Sequence, residues 1–277
     1  MGGCDVAKIG GVDLLKIDGL SFGYGAEAVL DGVGLEVGRG ELVGLVGPNG
    51  SGKTTLLRVI SGVLDASVGR VSVYGQDLAG LRSSARARLV SVVPQNPQLP
   101  EGFTVRELVL MARNSHLKLL EWEGRGDVEA ATLAMEETST LELADRSLGT
   151  LSGGERQRAV VAMALSQDTP VMLLDEPTSN LDLAHQTVIM DLVVRLMEAR
   201  GTAVLVAMHD LTLAAQYCDR LIMLSEGRCY AVGVPLEVLT VDNIEAVYGS
   251  EVHLVPHPLG GTPVVLPARG ARRGSSL

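Results

Sequence analysis

Eight residues, Gly47-Pro48-Asn49-Gly50-Ser51-Gly52-Lys53-Thr54, constrain this chain more than any other part of it. They fit the pattern G-x-x-x-x-G-K-[ST] and continue into Thr55. Leu42–Val46 before them reads as a buried strand and Lys53–Ile60 after them as a helix, the context that gives such a run its mechanism. Gly47, Gly50 and Gly52 let backbone N–H groups turn inward around a polyphosphate, and the helix presents its positive end to it. Lys53 is expected to reach the β- and γ-phosphates, and the Thr54 hydroxyl to ligate Mg²⁺.

The rest of the chain repeats that strand-to-helix rhythm. Val71–Tyr74, Leu89–Val93, Val171–Leu174 and Ala203–Ala207 read as strands; Leu183–Arg200 and Asp210–Cys218 read as helices. Strands apolar on both faces, alternating with helices, predict a mainly parallel sheet covered by helices. From about 100 to 150 the β-branched runs stop. Thr104-Val105-Arg106-Glu107 has the form of a capping box, and Asp127–Thr138 carries an amphipathic pattern. This stretch is expected to be a helical subdomain (about 100–165) inserted in an α/β core spanning 12–250. Leu14–Val37 reads as antiparallel edge strands, and 251–277 as a short extension with a disordered end.

Composition narrows the class. Of 277 residues only eight are aromatic, so an aliphatic core must do the packing. A formal net charge of −10 disfavours a nucleic-acid binder. The basic cluster Arg269, Arg272 and Arg273 reads as a solvated tail. Cys4, Cys218 and Cys229 form no paired framework, which suits a reducing compartment. Met1–Gly10 lacks the pattern of a secretory leader, Gly2 with Val6 lacks that of a myristoyl anchor, and Ala159–Leu165 is far too short to cross a bilayer. A soluble chain of the cytoplasm is expected.

Asp175 ends the Val171–Leu174 strand, so its carboxylate emerges beside the phosphate loop, where open α/β sheets bind ligands. It suits Mg²⁺ held through water, and Glu176 would point toward the γ-phosphate, where a water must be oriented or deprotonated. Leu151-Ser152-Gly153-Gly154-Glu155-Arg156-Gln157-Arg158 holds a second capping box and a second pair of glycines. It reads as another anion-binding helix end, about a hundred residues from the first. One ATP does not need two cradles from one small chain, so a second chain supplying the second cradle is the economical explanation.

Gly47–Thr54, Gln95, Leu151–Gln157, Val171–Glu176, Ser179–Asp182 and His209 resemble, in order and spacing, the ATPases of the ABC-transporter family. The resemblance covers roughly 14–235 and implies an ABC ATPase: a P-loop NTPase core in which a homodimer sandwiches two ATPs. Each site would join Lys53, Thr54, Asp175 and Glu176 of one chain with Ser152, Gly153 and Gly154 of the other. It implies Glu176 as general base, His209 on the γ-phosphate and the attacking water, and Gln95 sensing Mg²⁺ and the γ-phosphate. It also implies Tyr24 stacked on adenine. Taken alone, Tyr24 reads as an edge-strand tyrosine; the resemblance also implies Asp182 working across the dimer, where Ser179–Asp182 could otherwise be a simple helix cap. The chain departs from the family at Met163, where many relatives carry Arg, and over Asn114–Gly126.

Phe103–Val109, Leu181–Gln186, His209–Asp219 and the Pro-rich end are similar to the ATPases of iron–siderophore, haem and cobalamin importers. That resemblance implies transmembrane permease subunits, indirectly a substrate-binding protein, and a place on the cytoplasmic face of the membrane. A cytosolic ATPase of iron–sulfur cluster assembly has the same bare cassette and is the rival reading. A DNA-repair ATPase would need a long insertion for which there is no room.

Overall fold

The computed structural model describes residues 13–25, 27–117, 121–258 and 260–268. Met1–Gly10 with Cys4, part of Asn114–Gly126, and the Arg269, Arg272, Arg273 tail lie outside these described residues. Along the chain run β1 (Asp13–Tyr24), β2 (Glu27–Gly38), β3 (Leu42–Val46), α1 (Lys53–Ser61), β4 (Val68–Val73), β5 (Gln76–Asp77), α2 (Ser83–Arg86), β6 (Val90–Val93) and α3 (Val105–Met111). There follow α4 (Arg125–Glu137), α5 (Gly153–Ser166), β7 (Val171–Asp175), α6 (Leu183–Arg200), β8 (Ala203–Ala207) and α7 (Leu211–Tyr217). The chain then forms β9 (Arg220–Ser225), β10 (Arg228–Gly233), α8 (Pro235–Val238), α9 (Val241–Tyr248) and a hairpin of β11 (Val252–Pro256) with β12 (Pro263–Pro267).

The central sheet has the order β10-β9-β3-β8-β7-β6, parallel throughout except for the edge strand β10. Its strands bury both faces by period-two alternation. Val43, Leu45, Val171, Leu173 and Leu205 enter one core, shared with Leu56 and Ile60 of α1 and with Leu15, Ile17 and Leu30 of the first two strands. Leu42, Val46, Met172, Leu174, Val204 and Val206 enter the other, beneath helices α5 and α6. The expected antiparallel strands β1 and β2 are not an edge of this sheet but form a second one, β2-β1-β4-β5, packed on the first of these cores; β4, expected in the parallel sheet, joins them because it pairs antiparallel with β1.

Local chemistry sets the element ends. Thr104 and Ser152 accept the backbone N–H three residues on and are answered by Glu107 and Glu155, so both capping boxes form. Asp127 accepts the Gly124 N–H at 3.0 Å, which starts α4 at Arg125, two residues before the expected Asp127. Asp210 caps α7 by accepting from Leu213 N at 2.9 Å. The strand expected to reach Tyr74 stops at Val73 because Tyr74 turns with φ 51°.

The far end of α5 is fastened by three cationic or ring donors. Arg113 Nη1 donates to the Ser166 carbonyl at 2.7 Å, His116 Nε2 meets the Gln167 carbonyl at 2.8 Å, and Arg200 Nη1 reaches the Leu165 carbonyl at 3.4 Å. Arg113 is itself paired with Asp127 at 3.1 Å and Arg200 with Glu137 at 2.7 Å. These groups satisfy carbonyls that a helix C-terminus leaves without partners and oppose its negative end.

Candidate active site

Four neighbouring strands of the central sheet, β3, β8, β7 and β6, deliver their C-terminal ends to one edge. Gly47 follows the first, His209 the second, Asp175 and Glu176 close the third, and Gln95 follows the fourth. A cleft along this edge is lined by Val29, Asn49, Gly50, Gly52, Lys53, Thr54, Thr55, Glu176 and His209. Val29 is a residue that sequence reasoning missed. An aliphatic strand residue carries no chemical signal, and only the packing of β2 beside the loop brings it there.

The phosphate loop is tightly built. A Cβ on Gly47, whose φ is 150°, would stand 2.3 Å from the Leu224 carbonyl oxygen and 2.7 Å from Ser51 Oγ, so no larger residue fits. Ser51 Oγ is buried and has no hydrogen-bond partner among the described residues. Such an orphaned hydroxyl suits a site built for a further polar group. Lys53 is 5% exposed, and its ammonium donates to the carbonyls of Gly47 at 2.7 Å and Pro48 at 3.1 Å. Burial pulls its pKa below the usual lysine value, against Glu176 and Asp175, which favour the charged form.

Asp175 accepts a hydrogen bond from Thr54 Oγ1 at 3.0 Å, which brings the two expected Mg²⁺ residues together. No group of three or more His, Cys, Asp or Glu side chains among the described residues could hold a metal unaided. A hydroxyl and one carboxylate do fit Mg²⁺, which keeps several waters and takes its other ligands from phosphate oxygens. Burial pushes the Asp175 carboxyl up from its usual range, opposed by the Thr54 hydroxyl and by Arg58, Lys53 and His209. The folded chain therefore takes up that proton more readily than the unfolded chain. The stability this lends is full below the unfolded pKa and is lost as pH rises through the folded one. Asp175→Asn, which keeps an acceptor for Thr54 but no charge, should accordingly raise the thermal midpoint at neutral pH. Calorimetry without nucleotide checks it; a lowered midpoint would contradict the electrostatics.

Glu176 sits just past β7 in the left-handed region, φ 50°, with its N–H donated to Ala207 O at 3.0 Å. Non-glycine residues adopt this conformation rarely and tend to do so at working sites. The turn aims a carboxylate that is 7% exposed into the cleft. One oxygen accepts from the Gln95 amide and the other meets His209 Nε2. Residues that follow three neighbouring strands thus meet at one carboxylate.

The other expected residues lie apart. Tyr24 stands half-exposed on the β1–β2 hairpin, with Phe22 edge-on at 4.9 Å. Asp182 caps α6, accepting the His185 N–H at 2.9 Å, so the helix-cap reading of Ser179–Asp182 holds in the single chain. Ser152, Gly153 and Gly154 open α5, and none of them lines the cleft. Met163 packs against the core.

The model of the ABC transporter family matches residues 30–179. The chain belongs to the ABC transporter family. It is an ATP-binding, ATP-hydrolysing cassette of that family, and this agrees with a cleft built from a phosphate loop and a bracketed carboxylate. The cassette is 40% identical over 253 residues to the ferric enterobactin transport ATP-binding protein FepC of Escherichia coli K12, covering 91% of this chain and 93% of that protein. It is also 40% identical over 264 residues to the hemin import ATP-binding protein HmuV of Rhodococcus jostii, covering 95% and 89%. Among solved structures it is similar to one described as an inward-facing metal-chelate type ABC transporter. There the TM-score is 0.82 at 25% identity, with 94% and 99% of the two chains covered.

Proposed function

We propose that this cassette is the ATP-hydrolysing subunit of a metal-chelate importer, working as a homodimer on separate transmembrane permease subunits at the cytoplasmic face of the membrane. The observation that supports the pairing most directly is the split site. The cleft holds the phosphate loop, Glu176 and His209, while the Ser152–Gly154 helix end stands outside it. Two chains placed head to tail would close each ATP between one loop and the other chain's helix end. Among the described residues no helix is long and apolar enough to cross a membrane, so the path for cargo belongs to other subunits.

In this reading the backbone N–H groups of Gly47 to Gly52, with Pro48, Asn49 and Ser51 shaping the turn, surround the phosphates, and Thr55 extends the cradle into α1. A bound triphosphate would favour the charged form of the Lys53 ammonium, against the pull of burial. Thr54, Asp175 and Gln95 would hold Mg²⁺, which when bound neutralises charge on the phosphates. Glu176 is the general base: it takes the proton of the attacking water, and Gln95 and His209 fix the direction of its oxygens. His209 also contacts the γ-phosphate. Tyr24 stacks on adenine from its exposed hairpin, and Asp182 contributes across the dimer from the start of α6.

The cargo reading rests on the relatives, and FepC and HmuV, both 40% identical to the cassette, serve ferric enterobactin transport and hemin import respectively. The cassette does not touch the cargo. Iron–siderophore, haem and cobalamin therefore remain one class here, sorted by the permease and a substrate-binding protein. The test is affinity capture of the cassette from detergent extract. Stable co-purification with a polytopic membrane protein is expected, with ATPase activity in the captured complex. Recovery with soluble proteins alone would overturn the importer reading.

A further inference from the structure

Room for a phosphate is one reason for the glycines after Ser152. Packing inside the chain supplies a second reason for Gly154. This residue is buried, and a Cβ on it would stand 2.3 Å from His185 Cδ2 and 3.0 Å from Nε2. The imidazole of His185 therefore rests directly on the Gly154 backbone. It is tethered there: its Nδ1 lies 2.7 Å from Asp182 Oδ1, the oxygen that also accepts the His185 backbone N–H. Turning the ring away from residue 154 would break that bond. Beside it, Leu181 Cδ2 would be 3.7 Å from a Cβ on Gly153, an ordinary packing contact. Side chains at 181, just ahead of α6, and at 185, in its first turn, thus bridge the segment that follows Glu176 to the first turn of α5.

We infer that His185 is a positioning residue: its ring, anchored by Asp182 and seated on Gly154, sets where the N-terminal turn of α5 stands relative to the Glu176 turn of the same chain. This rests on the two-chain reading above, because the helix end that His185 seats is the one lent to the partner's ATP. The half-exposed ring buries little, so its contribution is to placement more than to folding. Each chain, by this contact, ties the strand end serving its own nucleotide to the helix end serving the other.

The test compares the parent with Gly154→Ala, His185→Ala and the double variant, using phosphate release, ATP binding to the monomer and thermal midpoints. Gly154→Ala should lower kcat about a hundredfold, and His185→Ala about threefold to tenfold with KM for ATP nearly unchanged. The double variant should recover to within about threefold of His185→Ala, because the new methyl takes the space the ring vacates, the signature of directly coupled residues. His185→Asn, which keeps a donor for Asp182, should fall between His185→Ala and the parent. Unchanged monomer binding of ATP shows that each variant is folded. A double variant no more active than Gly154→Ala would place the glycine requirement on the nucleotide and remove His185 from the account. The two-chain reading is checked separately, by light scattering of the Glu176→Gln protein with ATP. A Glu176→Gln protein that stays single there overturns that reading and the purpose given to the seat; pairing by that protein, with a Gly154→Ala/His185→Ala variant no more active than Gly154→Ala, overturns the His185 assignment alone.

Discussion

Glu176→Gln should bind ATP with undiminished affinity, hydrolyse it at least about a thousandfold more slowly, and accumulate as an ATP-bound dimer. The substitution is nearly isosteric, and the amide oxygen can still accept from Gln95, so the geometry around the position is kept. What disappears is the capacity to take a proton from water. A negative charge beside the γ-phosphate disappears as well, which removes repulsion from the closed state and leaves binding at least as favourable. Rapid-quench phosphate release, nucleotide titration and light scattering read the three parts. Hydrolysis at the parent's rate would remove Glu176 from the role of base, and with it the meaning given to Gln95 and His209 on either side.

The second large effect is expected at the other half of the split site. Ser152→Arg should leave ATP binding to the single chain intact while lowering hydrolysis by about a hundredfold or more. Residue 152 does not line the cleft, so one chain's phosphate loop is untouched. The arginine would place a cation at a helix N-terminus and fill the space a phosphate needs, and the lost serine cap costs about 1 kcal/mol. Isothermal titration of the monomer set beside steady-state turnover separates the two. Loss of monomer binding would argue that Ser152 works within its own chain.

Much of this molecule was legible because its determinants are local. The strands Leu42–Val46 and Ala203–Ala207 and the helix Leu183–Arg200 stand as their patterns predict, and Thr104 and Ser152 cap helices as their spacing to Glu107 and Glu155 requires. What could not be read is set by distant pairing. Residues Leu15 and Val73 are partners across β1 and β4, which places those strands in a second sheet, and no local period reports such a ladder. Val29 reached the cleft because β2 packs beside the phosphate loop, with the Val29 carbonyl against Gly52, another distant meeting. Gln95, Glu176 and His209 were each expected at the site, but their meeting on one carboxylate depends on β6, β7 and β8 lying side by side. The reason for Gly154 was half visible: a missing side chain can be read from sequence, whereas the imidazole that occupies its place cannot.

The fastening of α5 at its last carbonyls has a mechanical corollary. Arg113, His116 and Arg200 bolt down one extremity of a 14-residue rod, while Ser152 stands exposed at the opposite extremity. At about 1.5 Å of rise per residue the rod is about 20 Å long, so a swing of about 10° about the bolted tip carries the Ser152 end, together with its His185 seat, through about 3.5 Å. That travel exceeds the length of a hydrogen bond. In the proposed two-chain site, travel of that size is enough to make or break the grip of Ser152 and its glycines on a neighbour's phosphate.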